Sequence, residues 1–209
     1  MTTISNKSIL YWQGRARSNS ELFKFHQVLK HHDFLTEIMP INYDIGLLPN
    51  NPESSIYQWI HNQTKKTYDW WIGLSLGASV AYMVASSAMT CSAPKRITLI
   101  NPFSNREMLA NEKGFSLNQQ WAINPANYRL HVSTVDIVLS VNDDRIPIKH
   151  GQLLLPMITA KELRVILLDA DHIISKTKAQ SDIANFLLQD CRMETIYGQH
   201  SKIISCDFC

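Results

Sequence analysis

Nothing at the start of this 209-residue sequence has the makings of a membrane span or a secretory leader. Met1 to Ser8 is polar, and the apolar run that follows, Ile9 to Trp12, has four residues, where a transmembrane helix needs about 20 and a leader core about 7–15. A cytoplasmic protein is therefore expected. An excess of either charge is also lacking: 20 Lys and Arg against 18 Asp and Glu leave a formal charge of +2, which excludes the basic footprint of a nucleic-acid binder. With 45% apolar and 18% charged residues the chain is not a disordered one either. Cysteines number four, and three of them (Cys191, Cys206, Cys209) crowd the last nineteen positions. Such a distribution is not a disulfide framework, so reduced thiols are expected. Cys206-Asp207-Phe208-Cys209 has CxxC spacing, but a closed zinc site wants four ligands and only His200 and Cys191 lie nearby. No metal and no cofactor is expected, and residues 191–209 read as a frayed tail.

What is present is an alternation. The length suits one domain, taken as residues 1–190, and short apolar runs within it are separated by longer amphipathic segments, the pattern of βαβ units. Strands are predicted at Ile9–Trp12, Phe34–Ile41, Asp69–Ile72, Arg96–Ile100, Val135–Val141 and Leu163–Leu168. Most are near-continuous in Ile, Val, Leu and aromatics, as strands covered on both faces must be. The second carries Glu37 and Pro40, and proline cannot donate to a ladder, so it belongs at an edge. The predicted fold is α/β, a mostly parallel six-stranded sheet of order 2-1-3-4-5-6 with helices on both faces. Helices are predicted at Asn19–His32, Ser54–Gln63, Leu76–Met89, Ile148–Ile158 and Lys176–Gln189. Residues 101–132, with Phe103, Phe115 and Trp121, exceed a routine connection and are expected to form a small cap over the site.

The third strand runs into Gly73-Leu74-Ser75-Leu76-Gly77 and then into a helix of small apolar residues. A strand that turns sharply into a helix brings their backbones too close for side chains at Gly73 and Gly77, while the serine between them is thrust outward. This is the context of a G-x-S-x-G nucleophile elbow. A tight turn with a capping serine is the alternative.

A serine hydroxyl needs a base, and the base an orienting group. After the fifth strand comes Asn142-Asp143-Asp144-Arg145-Ile146-Pro147, and after the sixth Asp169-Ala170-Asp171-His172. Each lies past the carboxyl end of its strand, where open α/β sheets build their crevice. His172 is preferred as base over His26, His31 and His32, which sit on an early helix, while His131 and His150 are candidates for substrate contacts. Asp143 is chosen over Asp144, which is left to cap the next helix or pair with Arg145. Asp169 and Asp171 are expected to raise the basicity of the histidine by proximity. The amides of Leu76 and Arg15 are the expected oxyanion donors, with Gln13, Gly14 and Trp121 assigned to substrate binding. Arg15 and Arg17 would suit a carboxylate, a phosphopantetheine phosphate or an acidic carrier, unless they merely face solvent.

Taken together, the Gly73–Gly77 elbow, the Asp143–Pro147 loop, Asp171-His172 and Gln13-Gly14 resemble the α/β-hydrolase superfamily over nearly the whole chain. In size the chain is similar to the compact carboxylesterases and thioesterases of that superfamily. It departs from the usual pattern in lacking a first hairpin, in having Gln13-Gly14 for His-Gly, and in having Asp171 where glycine often precedes the histidine. The resemblance implies a serine hydrolase acting on a small acyl ester or thioester, with an acyl carrier protein as a further partner. Acyl transfer or lyase chemistry with the same residues, and a non-catalytic scaffold, are the competing readings.

Overall fold

A computed structural model of the chain describes residues 8–14, 35–39, 41, 54, 56–58, 67–87, 93–117, 122–188 and the strand at 201–206. Its strands are β1 (Ser8–Trp12), β2 (Leu35–Ile38), β3 (Trp70–Leu74), β4 (Arg96–Ile100), β5 (Leu130–Ser140), β6 (Ile158–Leu168) and β7 (Ser201–Cys206). They form one sheet of order β2-β1-β3-β4-β5-β6-β7, in which the first six run parallel. The α/β class and the 2-1-3-4-5-6 order are as expected, and β2 lies at the edge, ending at Ile38 ahead of Pro40.

The tail corrects the sequence reading. Residues 201–206, taken as frayed, form β7, which pairs antiparallel with β6 from Leu163↔Cys206 to Leu168↔Ser201. An antiparallel strand added to the margin of a parallel sheet covers a row of amide and carbonyl groups that would otherwise stand open. Strands β5 and β6 also start at residues 130 and 158 rather than 135 and 163. Their first residues alternate between polar and apolar while pairing with each other, Leu130↔Ile158 and Val132↔Ala160, and so lack the continuous apolar run used to find strands. Residues 130–132 consequently belong to the sheet and not to the expected cap. His131 is thereby exposed near the amino end of β5, away from the strand carboxyl ends, and is not placed to contact a substrate there.

Strand pleating divides the core in two. Leu10, Trp12, Trp71, Ile97, Leu99, Val135, Ile137 and Leu139 face one side, where they meet α1 (Leu76–Ser86) and α3 (Ile148–Leu154). The residues between them, Ile9, Tyr11, Trp70, Ile72, Ile100 and Val138, face the other side and meet α4 (Thr177–Leu188) through Ile183, Phe186 and Leu187. Helix α1 is buried from Leu76 to Ala85, as its small apolar composition requires. Within the 101–129 connection a further helix, α2 (Arg106–Lys113), was not anticipated. It is capped by the Asn105 side chain, which accepts from the Met108 amide, and closed by Gly114 at φ 67. Helix α3 is followed by a 3₁₀ turn at Leu155–Met157, because Pro156 has no amide to continue the α pattern. The predicted helix 19–32 lies outside the described residues, and of 54–63 only 56–58 are described as helical.

Candidate active site

Ser75 sits between β3 and α1 with φ 56 and ψ −125, in the positive-φ region that L residues adopt only under local constraint. The constraint is close packing. A Cβ at Gly73 would lie 2.5 Å from the Ala78 Cα, and one at Gly77 would collide with the carbonyl oxygens of Trp12 and Gln13. The Ser75 amide donates to the Ile100 carbonyl at 2.8 Å, which ties the turn to the end of β4.

The imidazole of His172 bridges two elements distant in sequence. Its Nε2 is 2.8 Å from Ser75 Oγ, and its Nδ1 is 2.7 Å from Asp143 Oδ2. An ionised carboxylate only accepts, so Nδ1 carries the hydrogen and Nε2 is left to accept from the hydroxyl. Asp143 is itself fixed: Oδ1 accepts from the amides of Arg145 and Ile146, both at 2.8 Å, and its side chain is 1% exposed. The imidazole is nearly as enclosed, whereas Ser75 is partly exposed.

Asp144 is exposed and does neither thing expected of it. Its carbonyl accepts from Lys113 Nζ at 2.6 Å, and the N-cap position of α3 is held by Pro147, with no side-chain cap. Asp169 and Asp171 are likewise committed elsewhere. The first accepts from Asn142 Nδ2 and pairs with Lys176. The second accepts from the amide and hydroxyl of Ser175 at 2.9 and 2.7 Å. Burial pushes the Asp171 carboxyl up, but its hydrogen bonds outweigh this and hold it below the ordinary range. These carboxylates shape the His172 turn, in which Ile174 also takes a positive φ of 54.

His150 is wholly buried rather than facing the crevice. Its Nδ1 lies 3.1 Å from Ser104 Oγ and its Nε2 3.3 Å from Glu112 Oε2, so it joins α3 to the segment around α2. Burial depresses its pKa below the ordinary histidine value.

Leu76 is the first residue of α1, and its amide is among the N-terminal donors that a helix leaves without an internal acceptor. Gly14 also lies beside the serine, since a Cβ built there would be 3.2 Å from Ser75 Cβ and 2.9 Å from the Leu74 carbonyl. Arg15, Arg17 and Trp121 lie outside the described residues, as do His26, His31 and His32. Among the described residues no three His, Cys, Asp or Glu side chains gather as metal ligands, and no helix is long and apolar enough to cross a membrane. Sequence reasoning missed Asn101, at the end of β4, whose side chain bonds both Ser140 and the His172 carbonyl.

No protein-family model and no curated protein matches the sequence. Solved structures do match in shape. Alpha/beta hydrolase domain-containing protein 10 from mouse superposes with a TM-score of 0.65 at 11% identity, covering 88% of each chain. An esterase of Pyrococcus furiosus gives 0.64 at 13%, covering 88% of this chain and 82% of that one. The esterase domain of a Rhodothermus marinus protein gives 0.59 at 12%, covering 89% and 86%. The chain has the α/β-hydrolase fold.

Proposed function

We propose that this protein is a serine hydrolase that cleaves a carboxylic ester or thioester through an acyl-enzyme on Ser75. The observation that carries the reading is the continuous hydrogen-bonded series Ser75 Oγ, His172 and Asp143, with contacts of 2.8 and 2.7 Å. The esterase neighbours supply further support. In the first step Ser75 Oγ bonds to the acyl carbon as its proton passes to His172 Nε2, and the carbonyl electron pair moves onto oxygen. The Leu76 amide, at the positive end of α1, is the donor nominated for that oxyanion. A second donor is assigned to the Gln13-Gly14-Arg15 loop, whose Gly14 abuts Ser75. Collapse expels the alcohol or thiol, protonated by His172. Water then adds to the acyl-enzyme with His172 again taking the proton, and the carboxylic acid leaves as Ser75 is regenerated. Asp143 holds the tautomer throughout and balances the transient imidazolium.

The segment after β4, with Phe103 and Phe115, is proposed as a cap over an apolar acyl chain. Comparing matched methyl esters and acyl-carrier thioesters decides between the two leaving groups. The class itself is tested with a fluorophosphonate probe. Folded wild-type protein is expected to label once, at Ser75. Ser75→Ala is expected to abolish labelling and to lower ester hydrolysis at least about 10³-fold. Wild-type protein that stays unlabelled would return the chain to the class of non-catalytic scaffolds.

A further inference from the structure

Asn101 is the residue immediately after β4, 3% exposed, with a backbone φ of 48. Its side chain is fully engaged on both sides. Oδ1 accepts from the Ser140 amide at 2.8 Å, while Nδ2 donates to Ser140 Oγ and to the His172 carbonyl, both at 3.0 Å. These partners fix the amide orientation, because a flip would set NH₂ against an amide N–H and oxygen against a carbonyl. The residue before it, Ile100, receives the Ser75 amide on its carbonyl. Two consecutive residues at one strand end therefore hold the backbone of Ser75 and the backbone of His172.

Asn101 is also one of three non-glycine residues with positive φ among the described residues, with Ser75 and Ile174 as the others. Asparagine tolerates this region better than most residues. A hydrophobic residue there would bury the Ser140 amide and the His172 carbonyl without these partners, at the desolvation cost of each group.

We propose that Asn101 is a positioning residue: it anchors the His172 turn to the ends of β4 and β5 and so sets the separation between the imidazole and Ser75 Oγ. The proposal rests on the hydrolase reading for its kinetic consequence, but its structural consequence stands apart from catalysis. Placement errors of about 1 Å between reacting groups lower rates as much as 10²-fold, and His172 has no other side-chain amide holding its main chain among the hydrogen bonds of the described residues.

The test uses the full chain carrying Asn101→Gly, which accepts the positive φ, and Asn101→Asp, which retains an acceptor for the Ser140 amide but loses the donor to His172. Two readouts are taken: the rate of fluorophosphonate labelling, and the low-field proton NMR resonance of the His172 Nδ1–H bonded to Asp143. Both variants are expected to fold, to label about 10- to 100-fold more slowly than wild type, and to lose or broaden that resonance. A variant that melts lower yet labels at the wild-type rate with the resonance in place would assign Asn101 to the fold alone and overturn the proposal. Should wild-type protein itself not label, the hydrolase reading fails while the resonance still decides the inference: its loss in Asn101→Gly supports the anchor, and its retention refutes it.

Discussion

Among the described residues two hydrogen-bonded series of serine, histidine and carboxylate stand out, and they differ in whether the hydroxyl is open to solvent. Ser75, His172 and Asp143 meet at the carboxyl ends of β3, β5 and β6, whereas Ser104, His150 of α3 and Glu112 of α2 meet where those helices approach. The imidazoles are oriented in opposite senses. In the first the carboxylate takes Nδ1 and the hydroxyl Nε2; in the second the carboxylate takes Nε2 and the hydroxyl Nδ1. Access differs more. Ser104 is 1% exposed and His150 fully buried, so no acyl group can reach that hydroxyl. Ser75 is partly exposed, on a strained turn, at the head of a helix whose amides point toward it. Three side chains in series are thus not enough for nucleophilic chemistry. On the proposed reading, an exposed hydroxyl and donors for the developing charge are what a reaction site needs beyond them, and the enclosed Ser104 lacks the first.

The largest expected effect that sharpens this contrast is at Asp143. Asp143→Asn leaves the shape but presents an NH₂ group or a neutral oxygen to the imidazole, and ester hydrolysis is expected to fall by about 10³–10⁴-fold through the wrong tautomer. Steady-state kinetics with a chromogenic ester measures it, and a loss of less than tenfold would deny the carboxylate its part. Next comes the buried series. Ser104→Ala removes the partner of His150 Nδ1 and is expected to lower stability by about 1–3 kcal/mol while fluorophosphonate labelling proceeds at the wild-type rate. Slow labelling in a fully folded Ser104→Ala protein would erase the distinction between the two series.

The smallest effect is on pH dependence. Because burial lowers the pKa of His150 in the fold, the unfolded chain takes up this proton first. The associated stability is present above the unfolded value of about 6.5 and is lost as pH falls below it toward the folded value. The midpoint of thermal unfolding should therefore drop between pH 7 and pH 5 by more in wild type than in His150→Gln, and equal drops would show that His150 titrates alike in both states.

These two series also mark what the sequence made legible. The serine at 75, the histidine at 172 and the carboxylate at 143 could be named together because each follows a strand that reads as a continuous apolar run, and parallel topology then brings strand ends to one rim. The expected position of β2 at the margin followed from Pro40 in the same way. The Ser104 series was not legible, since it depends on Glu112 of α2 reaching His150 of α3, 38 positions away, and α2 carries little apolar periodicity. His150, a candidate for substrate contact from its place after the acid loop, is instead wholly buried. Asn101 carried no pattern at all. Its importance lies in hydrogen bonds spanning 39 and 71 positions, which local spacing does not encode. Strand β7 escaped because Ile203 and Ile204 sit among polar neighbours and cysteines that suggested a tail.

That last strand has a bearing on how the polypeptide comes off the ribosome. The outer flank of β6 is shielded by residues 201–206, which are translated more than thirty residues after β6 ends at Leu168. During that interval a nascent sheet would carry an unpaired flank along β6, open to neighbouring polypeptides. Clipping the final segment should accordingly harm solubility and, because residues 201–206 flank Leu163–Leu168, the stretch that leads into the His172 turn, loosen that turn as well.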